Sequence, residues 1–94
     1  MPPRRRQPPR SPEHAALGEA IRRARVALGY SQEDFAGAAD IHITLIGGLE
    51  RGVSNPNYTT LLRLSKALGT TPGALLTAAD KLAAGSSLSR PPSG

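Results

Sequence analysis

The sequence predicts an all-α fold, a bundle of five short helices, from three observations. Apolar residues recur at spacings of three and four through residues 13–84, the period of one helix face. Most of these runs open on a capping residue and close at a glycine, the usual asymmetry of helix ends. No stretch alternates apolar and polar residues in the manner of a half-buried strand.

Ser11-Pro12-Glu13 is the first helix start: a capping hydroxyl, a proline in the first turn, and an acid near the positive end of the helix dipole. Leu17, Ile21, Ala24 and Leu28 follow at spacings of 4, 3 and 4, and Gly29 ends the helix. Ser31 caps a short second helix whose inward residues are Phe35, Ala36 and Ala39. A third run from about His42 carries Leu45, Ile46 and Leu49 and stops at Gly52. Asn57 caps a fourth, with Tyr58, Leu61, Leu62, Leu64 and Leu68 before Gly69. Thr71-Pro72 opens a fifth, with Leu75, Leu76, Ala79, Leu82 and Ala83, expected to end at Gly85.

Composition narrows the function classes. The 94 residues include no cysteine, which excludes disulfide scaffolds, thiolate metal sites and cysteine nucleophiles. His14 and His42 are 28 positions apart without ligand spacing around them, so no metal or other cofactor is expected. No apolar run approaches the roughly 18 residues of a membrane span, and the basic amino terminus lacks the apolar core of a signal peptide. A cytoplasmic protein is therefore expected. Twelve Lys and Arg against seven Asp and Glu give a net charge of +5. Residues 1–12 hold Arg4, Arg5, Arg6 and Arg10 with no acid, and residues 85–94 hold only Arg90. The seven bases and seven acids between them cancel, so the excess is in the ends. Those ends also hold seven of the nine prolines and little apolar content. Residues 1–12 are read as a disordered basic arm, 13–84 as the folded domain and 85–94 as a disordered tail.

The join between the second and third helices carries the functional signal. Ala39-Asp40-Ile41 has room only for a sharp corner, with the small residues Ala36 and Ala39 at the contact and Ile41, Ile46 and Leu49 buried behind it. Such a corner usually needs positive φ, and Asp40 stands there in place of glycine. Spacing alone allows either a generic helical corner or a helix-turn-helix.

The runs LGEAIRRARVALGYSQEDFA, IHITLIGGLERG and NPNYTTLLRLSKALGTTPGALL resemble the lambda-repressor-like (Cro/repressor, XRE-type) helix-turn-helix DNA-binding domain. The resemblance extends from Leu17 to Leu76, about 60 residues, and is nearest to restriction–modification controller-like members. It implies a five-helix lambda-repressor-like bundle that regulates transcription by binding a palindromic double-stranded DNA operator as a homodimer. The third helix, about 42–51, would enter the major groove and present His42, Ile43, Thr44, Gly47 and Gly48 to base edges. For His42, base reading, helix capping and phosphate contact are all open. Ser31 and Gln32 at the start of the second helix, Arg51, and Asn57 with Tyr58 would contact phosphate. Arg25 and Glu50 would form a structural ion pair, and Leu75, Leu76 and Ala79 are the candidate dimer residues.

The reading positions depart from the pattern. Relatives usually carry arginine where Ile43 stands, and often another where Ser54 stands. Isoleucine can pack on a thymine methyl but cannot make the bidentate contact by which arginine reads guanine. Gly47 and Gly48, without side chains, are expected to permit close backbone approach. Affinity could then reside in the arm, where Arg4, Arg5, Arg6 and Arg10 lie in a stiff proline-rich segment. The alternative for the arm is a solubilising tail that touches nothing. No triad, phosphate loop or paired carboxylates suggest an enzyme. The competing function is an antitoxin or adaptor-type module that uses the same fold to bind a protein partner.

Overall fold

The computed structural model describes residues 7–87, which form five α-helices. These are α1 (Pro12–Ala27), α2 (Gln32–Ala39), α3 (Ile43–Glu50), α4 (Tyr58–Ala67) and α5 (Pro72–Ser87). No strand occurs among the described residues. The starts are those expected from the sequence. The side-chain oxygens of Ser11, Ser31, Asn57 and Thr71 accept from the backbone N–H groups of His14, Asp34, Thr60 and Ala74 at 2.8–3.1 Å. Each cap satisfies a first-turn donor that has no partner within its helix. Gly29, Gly52 and Gly69 close α1, α3 and α4 at φ of 77, 77 and 69°. At α5 the expectation fails: Gly85 keeps a helical backbone, and the helix continues to Ser87. A glycine permits the left-handed stop but does not impose it.

The core gathers Ile21, Phe35, Ile46, Leu49, Leu64, Leu68 and Leu75 from all five helices, with Ala20, Ala36, Ala39 and Ala79 where helices touch. Leu28 does not join it and is 54 % exposed. The chain turns at Gly29 immediately afterwards, and Tyr30 packs on the core instead, its ring 6.1 Å from that of Phe35. In α4 the inward strip is Leu61, Leu64, Ser65 and Leu68, leaving Tyr58 and Leu62 exposed. Ser65 is buried without cost to its hydroxyl, which donates to the Leu61 carbonyl at 2.7 Å.

Helix α1 packs against both α5 and α3. Its contact with α3 depends on Gly18, where an added Cβ would strike the carbonyl oxygens of Leu49 and Glu50. At the far end of α3, a Cβ on Gly52 would lie 2.9 Å from the Ala15 backbone. These two glycines bring α1 against the last turn of α3, and that packing sets the position of the third helix.

Candidate nucleic-acid interface

Helices α2 and α3 meet at a three-residue corner. Asp40 takes the left-handed conformation expected there, with φ 54° and ψ 50°. Its N–H turns back to α2, and the Ile41 N–H donates to the Ala36 carbonyl at 3.0 Å. Ala36 and Ala39 are buried at the contact. From α4, Arg63 donates to the Asp40 carbonyl at 3.2 Å and ties the corner to the rest of the bundle.

The other end of α3 is fixed by a largely buried ionic group. Arg25 on α1 meets the Glu50 carboxylate through Nε at 2.6 Å and Nη2 at 3.2 Å, and its Nη1 donates to the Tyr30 carbonyl at 2.8 Å. The Glu50 side chain is 4 % exposed. Gln32, the first residue of α2, also donates to this carboxylate, at 3.0 Å. One carboxylate therefore joins α1, α2 and α3. The Gln32 amide, expected on a phosphate, is engaged here, and the start of α2 lies beside the last turn of α3.

The outward side of α3 is less open than the sequence implied. His42 caps the helix, its Nδ1 accepting from the Thr44 N–H at 3.1 Å. Ile43 and Thr44 are exposed, as a reading surface requires. Gly47 and Gly48 are buried, which corrects the expectation of an open backbone. The chain after the helix folds back over Gly48, whose carbonyl accepts from Val53 and Ser54 at 2.9 and 3.2 Å. A Cβ at Gly48 would collide with the Ser54 hydroxyl, so Gly48 makes room for Ser54. Gly47 is covered from within its own segment: a Cβ there would stand 3.0 Å from the Arg51 Nη1.

Ser31 and Asn57 are exposed caps on the positive ends of α2 and α4, and Tyr58 is 69 % exposed. The Arg10 N–H donates to the Gly52 carbonyl at 2.9 Å, which sets Arg10 beside the end of α3. Arg4, Arg5 and Arg6 lie outside the described residues. The dimer candidates separate. Leu75 and Ala79 are buried in the core of the monomer, which removes them from an interface, whereas Leu76 is 41 % exposed. Leu76 borders a cavity of about 250 Å³ lined also by Leu17, Leu61 and Pro56 and edged by Glu13 and Asp80.

This corner and its third helix match a known pattern over most of the folded chain. The family described as helix-turn-helix matches residues 21–75. The chain belongs to the helix-turn-helix family, in its XRE-type branch. It is 38 % identical over 61 residues to the control protein C.BamHI of Bacillus amyloliquefaciens, covering 64 % of this chain and 75 % of that one. It is 41 % identical over 61 residues to the control protein C.SmaI of Serratia marcescens, covering 65 % and 73 %. The restriction–modification controller protein C.AhdI of Aeromonas hydrophila superposes with a TM-score of 0.68 at 32 % identity, over 69 % of this chain and 98 % of that one.

Some of this helix-turn-helix interface was not visible in the sequence. His14 joins the Ser11 hydroxyl, at 2.6 Å, to the Asn55 carbonyl oxygen, at 3.0 Å. Because Asn55 Oδ1 only accepts, the imidazole proton belongs on Nε2 and the Ser11 hydroxyl donates to Nδ1. That bridge holds the α3–α4 connection against the start of α1, a contact across 41 positions without any local signal. Gly18 gave no signal either, since a glycine inside a helical stripe reads as a local weakness. Among the described residues, no group of three or more His, Asp or Glu is placed to hold a metal ion. No described helix is long and apolar enough to cross a membrane.

Proposed function

We propose that this chain is a transcriptional regulator that binds double-stranded DNA sequence-specifically, with α3 in the major groove. The carrying observation is the placement of α3 across a left-handed Asp40 corner, with His42, Ile43, Thr44 and Arg51 outward and no acid among them. An eight-residue helix fixed at both ends is the size of element that the major groove admits. Phosphates flanking the groove would meet the backbone amides at the starts of α2 and α4, with Ser31, Gln32, Asn57 and Tyr58 alongside. The control-protein relatives support a regulatory role. A further controller protein, C.Esp1396I, was solved as a tetramer on its natural 35 base-pair operator, and its likeness here, at 24 % identity and a TM-score of 0.71, is one of fold.

The acting species is a homodimer on a palindromic site. Leu76 and the cavity beside it are the surface for the second copy, since Leu75 and Ala79 are used within the monomer. Selection from random duplexes with the full chain is expected to enrich a two-fold motif whose half-sites are about one helical turn apart. Weak binding without enrichment would overturn this reading in favour of an adaptor or antitoxin that binds protein.

The domain is electrically balanced, and the arm carries four of the five excess positive charges. The hydrogen bond from the Arg10 N–H to the Gly52 carbonyl places Arg10 beside α3. Replacing Arg4, Arg5 and Arg6 with alanine is expected to reduce the log–log salt slope of binding by up to about 2.7, at ~0.9 for each phosphate no longer neutralised. An unchanged slope would make residues 1–9 a tail without a part in binding.

A further inference from the structure

Arg51 occupies an unexpected place. At about 100° per residue, Leu45, Ile46 and Leu49 define the inward side of α3, and Thr44, Gly47 and Arg51 fall together on the opposite side. Gly47 is in the middle of that outward strip and is nonetheless buried. What covers it is the Arg51 guanidinium: Nη1 would be 3.0 Å and Cζ 3.9 Å from a Cβ at Gly47. The side chain therefore runs back along the outer surface of α3 towards its amino end, the direction in which helical side chains lean. It does not extend past the helix terminus, where a flanking phosphate would lie.

The charge is also uncommitted. Arg22 and Arg23 are held by Glu19, Arg25 by Glu50 and the Tyr30 carbonyl, and Arg63 by the Asp40 carbonyl. Among the described residues, the Arg51 side chain makes no hydrogen bond or ion pair, although Glu50 is its neighbour in sequence. Glu50 points inward and is already shared by Arg25 and Gln32. The outward strip thus holds one flat, unpaired guanidinium resting on a glycine, with exposed Ile43 and Thr44 a turn or two away.

From this geometry we infer that Arg51 reads a base, in place of the arginine that Ile43 does not supply. A guanidinium lying along the groove-facing side of the helix presents its donors to the O6 and N7 acceptors of a guanine. Gly47 is the slot that permits this pose, because a side chain there would lift the guanidinium off the helix. Gly47 thus acts on specificity without touching DNA. The inference rests on the major-groove reading above and names the specificity-determining residue within it.

The test is selection from random duplexes with the full wild-type chain and its Arg51→Ala, Arg51→Lys and Gly47→Ala variants, with thermal melts and salt titrations of each. The wild-type motif is expected to contain one guanine per half-site that Arg51→Ala no longer selects, the discrimination there falling by roughly 5- to 150-fold. Other positions should keep their preference. Arg51→Lys is expected to keep the salt slope and lose that guanine preference, since an ammonium lacks the bidentate fork. Gly47→Ala is expected to melt no lower than wild type and to weaken the same position. A wild-type motif unchanged in all three variants, with affinity in Arg51→Ala reduced equally for every sequence and the slope smaller by about 0.9, would make Arg51 a phosphate contact and overturn the inference alone. Failure of the wild type to enrich any motif would overturn the major-groove reading and this inference with it.

Discussion

Replacing Glu50 with alanine is expected to destabilise the domain by about 3–5 kcal/mol, because it strands the Arg25 guanidinium in a largely buried site. The same change releases Gln32 and removes the group that joins α1, α2 and α3. The five helices, residues 12–87, have on the order of 4–11 kcal/mol in total, so the variant should be partly unfolded at ambient temperature. Circular dichroism melts should show a midpoint lower by more than about 10 °C. A paired replacement, Arg25→Met with Glu50→Leu, should recover most of that stability, since no charge is then left without a partner. A Glu50→Ala midpoint within a few degrees of wild type would refute the assignment. Glu19 is the contrast. Hydrogen bonds from Arg22 and then Arg23 lower its pKa to about 2, but both arginines are on the surface. Its contribution is present above the ordinary carboxylate pKa and disappears as pH falls through about 2. Solvent screening keeps it small, and Glu19→Gln should cost less than about 1 kcal/mol.

Gly18→Ala is expected to destabilise by about 1–3 kcal/mol, against the sign of helix propensity. Within an exposed helix, glycine to alanine gains roughly 1 kcal/mol. At Gly18 the new methyl group meets the carbonyl oxygens of Leu49 and Glu50, which belong to backbone and cannot rotate away. Helix α1 must then separate from α3, and the Arg25–Glu50 contact, made between the same two helices, lengthens with it. Gly37 provides the internal comparison: it is exposed on α2, with nothing within 4 Å of an added Cβ. Gly37→Ala should raise stability by up to about 1 kcal/mol. Chemical denaturation of both variants checks the pair, and a Gly18→Ala variant as stable as Gly37→Ala would show that α1 and α3 are not in close contact there.

The residues that sequence placed well are those whose signal is local. Caps at Ser11, Ser31 and Asn57, stops at Gly29, Gly52 and Gly69, and the corner at Asp40 are each decided by a few neighbouring backbone groups. The family pattern added the Arg25–Glu50 pair, which no local rule contains. Sequence was less informative about which outward residues stay open. Gly47 and Gly48 are gaps on a helical wheel, but one is filled by an arginine four residues on and the other by a serine six residues on. Leu75, Leu76 and Ala79 form one apolar run, and only packing against the rest of the bundle shows that Leu76 alone is left outside.

The sequence by itself thus determined the five helices, most of their ends and the sharp corner, because hydrogen bonding and backbone conformation within a few residues are enough to specify them, and it determined the family through motifs in register along the chain. The tertiary structure decided the approach of α1 to α3 at Gly18, the His14–Asn55 bridge, and the surface that α3 presents. These depend on distances between segments far apart in the chain, where a single methyl group or the path of one arginine side chain changes what a partner can reach.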